Sequence, residues 1–242
     1  MSKKTKQENL FISTQQDAHQ AQMLMPEQQQ LQFDVEDQFK CPIYKAFKPE
    51  WVDTLNKAAD PIIEKLRKGW KKKIKDPKDP TKHMPNSLHS ENLWQYPEFK
   101  EITNVILQQS WNILNWQGYN LAGKLPMLTE LWVQEFPEEG GFHDIHEHGN
   151  NHISGFYFLK CNDKTSHPVF HDPRPGKKMT DLAMKDPSKL NYGSQQVHYK
   201  VNPGQFIFFN SYMPHAYVHH KGKEKFRFIH FNMQATVDPS KS

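Results

Sequence analysis

Apolar residues recur at two different spacings along the 242-residue chain, and the change of spacing divides it in two. Across residues 49–72 they recur every three or four positions, as in an amphipathic helix, although Pro61 can kink or split that helix. Residues 96–119 repeat the pattern and predict a second helix. Across residues 127–237 short apolar runs alternate with turn residues, which predicts β-strands.

The predicted strands are short and evenly spaced, and they all follow the helices. Short strands at regular intervals are typical of an antiparallel sandwich or barrel. Helices followed by seven or eight strands predict an α+β chain, in which a small barrel is buttressed by N-terminal helices. The clearest strand signals lie at residues 127–136, 152–160, 194–201, 204–211, 215–220 and 226–237.

Composition along the chain suggests three regions. Residues 1–36 are rich in glutamine and poor in branched apolar residues, so we expect a flexible polar arm. Residues 37–126 form a predicted helical support region, with a Lys- and Pro-rich loop at 71–90 that is either a solvated surface or a contact for an anionic partner. Residues 127–242 form the β-rich core.

Charge and cysteine content limit the classes of function. A formal net charge of +4 does not by itself indicate a nucleic-acid-binding protein. The two cysteines, Cys41 and Cys161, can build neither a disulfide framework nor a paired-thiol zinc site. Because no apolar run approaches the length of a membrane span, we expect a soluble, cytoplasmic protein. The oligomeric state cannot be predicted from the sequence.

Histidines are concentrated in the C-terminal half, where 11 of the 14 lie between His143 and His230. In the stretch "HEH", His146 and His148 would point to the same face of a strand, because strand side chains alternate. Two imidazoles held that way can chelate iron, copper, zinc or nickel. The alternative is a pair of surface histidines where a loop meets a strand.

Two further residues of the core are candidates for the same site. His215 follows an aromatic strand and a turn, and strand ends can converge at one mouth of a barrel. It is therefore a candidate third ligand. Arg227 lies in an otherwise apolar strand; inside a barrel its guanidinium needs an anion such as a carboxylate, whereas at an edge it would face solvent.

Taken in order, several motifs resemble one enzyme superfamily. They are "NSLHSENLW" (residues 86–94), "HEHGNNHISGFYFL" (146–159), "FHDPR" (170–174) and "MPHAYV" (213–218). This combination is similar to the iron(II)- and 2-oxoglutarate-dependent oxygenases of the double-stranded β-helix fold. The similarity is greatest to a prolyl-hydroxylase-like group common in phage and marine bacteria. It covers roughly residues 40–237, and its specificity lies in the order of the motifs.

The resemblance implies a ferrous centre at which His146 and His215 correspond to the two histidines of the family's iron-binding triad. This chain departs from the family pattern because His148 occupies the position where a carboxylate is expected. We therefore expect a three-histidine site made of His146, His148 and His215. The alternative is a carboxylate from elsewhere, with Asp172 the better candidate and Asp144 the less regular one.

The resemblance also implies a cosubstrate site and a reaction. Arg227, assisted by the hydroxyl of Tyr157, would hold the far carboxylate of 2-oxoglutarate, and O2 would react at the iron. The expected product is a substrate hydroxylated at a C–H bond, with release of succinate and CO2. The substrate would be a peptidyl side chain or a small molecule. Two alternatives remain: a cupin-type metal dioxygenase that does not use 2-oxoglutarate, and a non-catalytic jelly-roll binding module.

Overall fold

The computed structural model describes residues 34, 36, 38–76, 78, 87–136, 140–179 and 182–241. The chain divides into two compact units, residues 1–40 and residues 41–242. The second unit contains all of the helices and strands given below. Within the described residues, no helix is both long and apolar enough to cross a lipid bilayer.

Two long helices precede most of the sheet. Helix α1 spans Val52–Lys75 and helix α2 spans Lys100–Trp116, while a single short turn of helix, α3, spans Pro175–Lys178. Leu55, Ala59 and Ile63 are buried along one side of α1, as the four-residue repeat predicts. The last turn of α1 carries three lysines, which suit the negative end of the helix dipole.

In the part of the chain that the structure describes, ten strands form two antiparallel sheets. A six-stranded sheet has the order β1-β8-β5-β10-β3-β2, and a four-stranded sheet has the order β4-β9-β6-β7. The strands are β1 Ile43–Phe47, β2 Leu88–His89, β3 Lys124–Phe136, β4 His143–His146, β5 Ile153–Lys160, β6 Pro168–His171, β7 Gln196–His198, β8 Gln205–Asn210, β9 His215–Tyr217 and β10 Phe226–Val237.

Strands β3 to β10 are divided between the sheets in the pattern of a double-stranded β-helix: β3, β5, β8 and β10 lie in the larger sheet, and β4, β6, β7 and β9 lie in the smaller one. Among the described residues this arrangement produces two apolar cores. One core lies between the helices and the outer face of the larger sheet, and includes Ile229 and Phe231. The other lies inside the barrel, and includes Phe226 and Phe228 from the same strand. Because side chains alternate along a strand, every second residue of β10 faces the barrel interior.

The structure confirms the predicted fold class, and it refines the predicted elements. Both helices form where predicted, and α1 continues through Pro61 as one helix. The larger sheet also takes β1 and β2 from the region 37–126, because β1 pairs with β8 and β2 pairs with β3. The predicted polar arm, apart from residues 34 and 36, lies outside the described residues, as do residues 79–86 of the Lys- and Pro-rich loop.

Candidate metal centre

Three histidines from two distant parts of the sequence meet at one mouth of the barrel. His146 ends β4 and pairs in register with His215, the first residue of β9. Their ring centroids lie 4.4 Å apart, and that of His148 lies 5.1 Å from each. The ligand atoms of the three side chains lie within 4.8 Å of one another. The cluster predicted from "HEH" and "PH" is therefore brought together.

A tight loop after β4 positions His148. The backbone N–H of His148 donates to the carbonyl of Ser211, which ties this loop to the segment that leads into His215. Asn150 then adopts a left-handed conformation with φ of 62°, which asparagine tolerates better than most residues. The chain can thus reverse within a few residues and enter β5.

Hydrogen bonds orient two of the imidazoles as metal ligands require. The Nδ1–H of His146 donates to the carbonyl of Asp144 at 2.7 Å, and that of His215 donates to the carbonyl of Met213 at 3.0 Å. Each bond leaves Nε2 as the unprotonated nitrogen, and such backbone contacts commonly fix the tautomer of a metal-bound histidine. The Nε2 of His215 is buried and has no hydrogen-bond partner, so a metal ion fits this donor set.

Burial keeps the imidazoles of His148 and His215 neutral. Burial lowers the pKa of His148 to about 3, with further lowering by the neighbouring His230 and His146. Burial also lowers the pKa of His215 well below the ordinary value for histidine. A neutral imidazole offers a lone pair to a cation at pH 7, so protons compete weakly with a metal ion at these two side chains.

His148 differs from the other two in its hydrogen bonding. Its Nδ1 lies 3.0 Å from the side-chain nitrogen of Asn232, while its Nε2 is buried without a partner. If Nδ1 of His148 accepts a hydrogen bond from the Asn232 amide, the one proton of the neutral imidazole lies on Nε2, and Nε2 cannot bind a metal ion. Metal binding at Nε2 therefore requires the Asn232 amide to turn, so that its oxygen accepts from Nδ1–H.

The carboxylates considered as alternative ligands do not join the cluster in the described part of the chain. Asp172 lies just beyond β6, which pairs antiparallel with β9 as expected, but its carboxylate accepts hydrogen bonds from Arg174 and forms an ion pair with Lys177. These cations hold the pKa of Asp172 well below its usual range. Asp144 contributes its backbone carbonyl to His146.

Arg227 does not reach the metal cluster, which corrects the prediction that it holds 2-oxoglutarate. Its guanidinium is 2% exposed and lies on the helix-facing side of β10. There it donates to Glu135 at 2.8 Å through Nε and to Asp60 at 2.7 Å through Nη1. The physical reason is strand alternation: Phe226 and Phe228 take the positions of β10 that face the barrel interior.

Tyr157 is displaced from the site in the same way. Its ring belongs to the core under the helices, and its hydroxyl donates to the backbone carbonyl of Lys48 at 2.7 Å. Burial raises the pKa of this hydroxyl far above the usual value for tyrosine. Tyr157 therefore fastens the segment before α1 to the larger sheet, on the face opposite to the histidines.

Cations that could bind a carboxylate deep in the barrel are otherwise engaged. The chain has three arginines, all within the described residues, and each is paired with a carboxylate: Arg67 with Glu64 and Glu135, Arg174 with Asp172, and Arg227 with Glu135 and Asp60. No described lysine is buried. Inside the barrel, however, the Tyr217 hydroxyl is buried without a partner, and Tyr217 lies two residues along β9 from His215.

Four polar residues near the cluster were not identified from the sequence: Glu130, Tyr217, His230 and Asn232. His230 and Asn232 face the barrel interior from β10, and Glu130 reaches them from the adjacent strand β3. In the sequence, His230 is one of 11 histidines between His143 and His230, and no motif distinguishes it from the others. Because residues on both faces of β10 are buried, the sequence did not indicate which residues of that strand face inward.

Comparisons with known proteins agree with this geometry. Residues 130–232 match the model of a protein family described as "Putative 2OG-Fe(II) oxygenase". That segment contains His146, His148 and His215. No protein among the curated sequences matches this chain.

Solved structures share the fold. AviO1 from Streptomyces viridochromogenes Tue57 aligns with a TM-score of 0.55 at 14% identity, covering 83% of this chain and 91% of that one. A prolyl-4-hydroxylase from Pseudomonas putida aligns with a TM-score of 0.50 at 12% identity, covering 80% and 93%. An oxidoreductase of the 2OG-Fe(II) oxygenase family from Burkholderia pseudomallei aligns with a TM-score of 0.41 at 10% identity, covering 57% of this chain and 58% of that one. The shared fold rests on the first two alignments.

Proposed function

We propose that this chain, whose residues 130–232 belong to the 2OG-Fe(II) oxygenase family, binds Fe(II) through His146, His148 and His215 and hydroxylates a C–H bond of its substrate. The family is one of 2-oxoglutarate/Fe(II)-dependent dioxygenases, and its cofactors are Fe(II), 2-oxoglutarate and O2. The observation that carries the ligand assignment is the convergence of three imidazoles, two of which have a buried Nε2 without a partner.

When bound, the iron supplies the activation of O2 that hydroxylation needs, coupled to conversion of 2-oxoglutarate into succinate and CO2. The residues of the chain hold and shield this centre. The rings of Phe156, Phe170 and Phe209 pack around His215, with centroids 5.7, 6.0 and 4.8 Å away. They exclude water from the inner side of the site, which protects a reactive centre from side reactions.

The far carboxylate of 2-oxoglutarate is assigned here to Tyr217 in place of Arg227. His215 and Tyr217 point into the barrel from the same strand, so their positions are separated by about 7 Å along it. The Tyr217 hydroxyl is buried and lacks a partner, and an unsatisfied buried hydroxyl costs about 1–3 kcal/mol. A carboxylate acceptor would relieve this cost.

The test is turnover of the cosubstrate. The purified chain, stripped of metal and reloaded with Fe(II), should convert 2-oxoglutarate into succinate, measured by mass spectrometry. His146→Ala and His215→Ala should abolish succinate formation, whereas His219→Ala, at an exposed histidine outside the cluster, should retain it. Unchanged turnover in both cluster variants would disprove the ligand assignment. Uptake of O2 without 2-oxoglutarate would instead indicate the cupin-type dioxygenase.

The substrate is proposed to be a peptidyl side chain or a small molecule. A similar fold is found in a prolyl-4-hydroxylase, although at 12% identity this likeness concerns the fold. The discriminating measurement presents proline-containing peptides and free amino acids separately to the Fe(II)-loaded protein, and detects a gain of one oxygen by mass spectrometry. Stimulated succinate release with only one of these classes would identify it.

We place the protein in a reducing compartment such as the cytoplasm. In support of this, neither Cys41 nor Cys161 forms a disulfide, and burial raises the pKa of Cys161 to about 12, which keeps its thiol unreactive. We also propose that the protein acts without a membrane or nucleic-acid partner. Fractionation of the source cells, with detection of the chain in the soluble fraction, would test the assignment.

A further inference from the structure

A second group of metal-binding side chains adjoins the three-histidine centre and shares one residue with it. The ligand atoms of Glu130, His148 and His230 lie within 4.8 Å of one another. Glu130 comes from β3 and His230 from the neighbouring β10, where Glu130 pairs in register with Asn232. The Nε2 of His230 lies 3.8 Å from Oε2 of Glu130, which is too long for a hydrogen bond but suits two ligands of one cation.

An independent observation points to a ligand at this place. The Nε2 of His230 is buried and has no hydrogen-bond partner, and the residue is 4% exposed. Its ring is held on both sides, stacked on Trp132 at 4.8 Å and against His148 at 4.8 Å. A buried polar atom without a partner is costly, and the rigid packing prevents the ring from turning to find one.

The side-chain amide of Asn232 contacts the other two candidate ligands of this group, Glu130 and His148. Its nitrogen donates to the carboxylate of Glu130 and lies 3.0 Å from Nδ1 of His148. Its oxygen accepts from Ser154, which in turn contacts Ser211 at 2.8 Å. Because metal binding at Nε2 of His148 requires this amide to turn, its oxygen then accepts from Nδ1–H, and Asn232 remains the outer residue that orients His148.

We propose that Glu130, His148 and His230 form a second seat for a divalent cation, which competes with the three-histidine centre for His148. Only the Nε2 of His148 is free, so one ion at a time can use it. The inference rests on the proposed function in that the first centre is taken to contain His148. An ion in the second seat leaves His146 and His215 without metal, so bound metal and turnover need not be proportional.

The two seats differ in chemistry as well as in position. The first offers three neutral imidazoles. The second offers two imidazoles and one carboxylate, the set associated with non-haem Fe(II), and it carries a negative charge. Oxygen ligands favour harder cations such as Mn(II), so the occupancy of the second seat should rise with Mn(II) relative to Zn(II).

Co(II) titration of the metal-stripped full-length chain, followed by calorimetry and visible absorption, separates the seats. His215→Ala should still bind one equivalent of Co(II) through the second seat. His215→Ala combined with Glu130→Gln should bind none, and Glu130→Gln alone should bind one equivalent. His148→Ala should weaken binding more than either single change, and His219→Ala is the control outside both seats.

The outcomes distinguish the two proposals. Complete loss of Co(II) binding in folded His215→Ala, with normal binding in Glu130→Gln, would overturn the second seat and leave the three-histidine centre intact. Loss in Glu130→Gln with normal binding in His215→Ala would overturn the three-histidine centre instead. Folding of each variant is checked by circular dichroism. His230→Phe, which removes a different ligand of the second seat, should behave like Glu130→Gln.

Discussion

At the scale of single residues, Arg227 has a structural role. Its guanidinium neutralises Glu135, which is fully buried beneath α1 and also paired with Arg67. Removing one partner of a buried ion pair costs about 3–5 kcal/mol, because it leaves a charge without compensation. Arg67 remains in Arg227→Met, so we expect destabilisation of about 3 kcal/mol by urea denaturation. The affinity for 2-oxoglutarate, measured by calorimetry on the Co(II)-loaded protein, should be unchanged.

The matched control is Arg174→Met, which breaks an ion pair whose arginine side chain is 59% exposed. Exposed pairs contribute about 0–1 kcal/mol, so this change should have little effect on stability. If Arg227→Met instead left stability intact and eliminated 2-oxoglutarate binding, the original assignment of Arg227 as the cosubstrate anchor would stand.

Tyr217 gives the complementary prediction. Tyr217→Phe removes a hydroxyl that has no partner in the barrel, so the fold should lose no stability. A hydrogen bond to a charged group contributes about 1.5–3 kcal/mol, so 2-oxoglutarate should bind about 10- to 100-fold more weakly by calorimetry. Tyr157→Phe is the control, since its hydroxyl bonds Lys48 on the other face of the sheet. Equal affinities in all three proteins would exclude Tyr217 as the anchor.

These residues also show what the sequence could and could not predict at this scale. His146, His148 and His215 were predictable because each lies in a local motif next to a strand end. The direction of Arg227 was not, because Phe226 and Phe228 on one face of β10 and Ile229 on the other are equally apolar. Where both faces of a strand are buried, alternation of polarity carries no information about direction.

At the scale of elements, β5 occupies the middle of the larger sheet, between β8 and β10, and leads away from the loop that carries His148. Gly155 lies where this strand is most crowded. A Cβ at that position would collide with the ring of Phe231 and with the carbonyl oxygen of Ile207. Backbone cannot yield easily, so Gly155→Ala should destabilise the fold by about 3 kcal/mol in urea denaturation.

Gly149 provides the comparison for that substitution. It lies in the exposed loop before β5, and a Cβ there would meet nothing within 4 Å. Gly149→Ala should change stability by less than about 0.5 kcal/mol. A similar free energy of unfolding for both alanine variants would show that the close approach at Gly155 does not constrain the sheet.

Element prediction succeeded where the sequence pattern was local and failed where pairing was distant. The long helices and β10 were evident because their periodicity extends over many residues. Strands β1 and β2 were not predicted, since β1 has an exposed, weakly patterned sequence and β2 has two residues. Both are strands only because β8 and β3 provide partners far along the chain.

At the scale of the whole molecule, the two cores keep two kinds of charge chemistry apart. The helix-facing side of the larger sheet holds the ion pairs of Arg67, Arg227 and Glu135, which stabilise the packing of α1. The barrel side holds a group of imidazoles with the carboxylate of Glu130 beside them, and this group can accept a cation. A metal ion that binds only the folded protein must raise its melting temperature, and the barrel side is where that stabilisation would arise.

The same separation makes the metal-free protein sensitive to acid. Burial lowers the pKa of His143 to about 4 and that of His148 to about 3, and it lowers the pKa of His215 and His230 well below the ordinary value. In the unfolded chain these imidazoles titrate near 6.5. Below about pH 6.5 the unfolded state therefore binds more protons than the folded state, and stability falls as the pH falls.

The melting temperature of the metal-free protein should decrease steadily from pH 7 to pH 5. It is measured by circular dichroism in the presence of a chelator. Each imidazole that stays neutral in the folded protein lowers the free energy of unfolding by about 2 kcal/mol at pH 5. A few such imidazoles should therefore lower the melting temperature by about 10 °C. His230→Phe removes one such group while keeping a ring in its place, and its melting temperature should depend less on pH. Because the pKa values of Asp60 and Asp172 are lowered, these carboxylates lose their stabilising charge only at more acidic pH. A melting temperature that is constant or rises between pH 7 and pH 5 would contradict the neutral, buried state of these histidines.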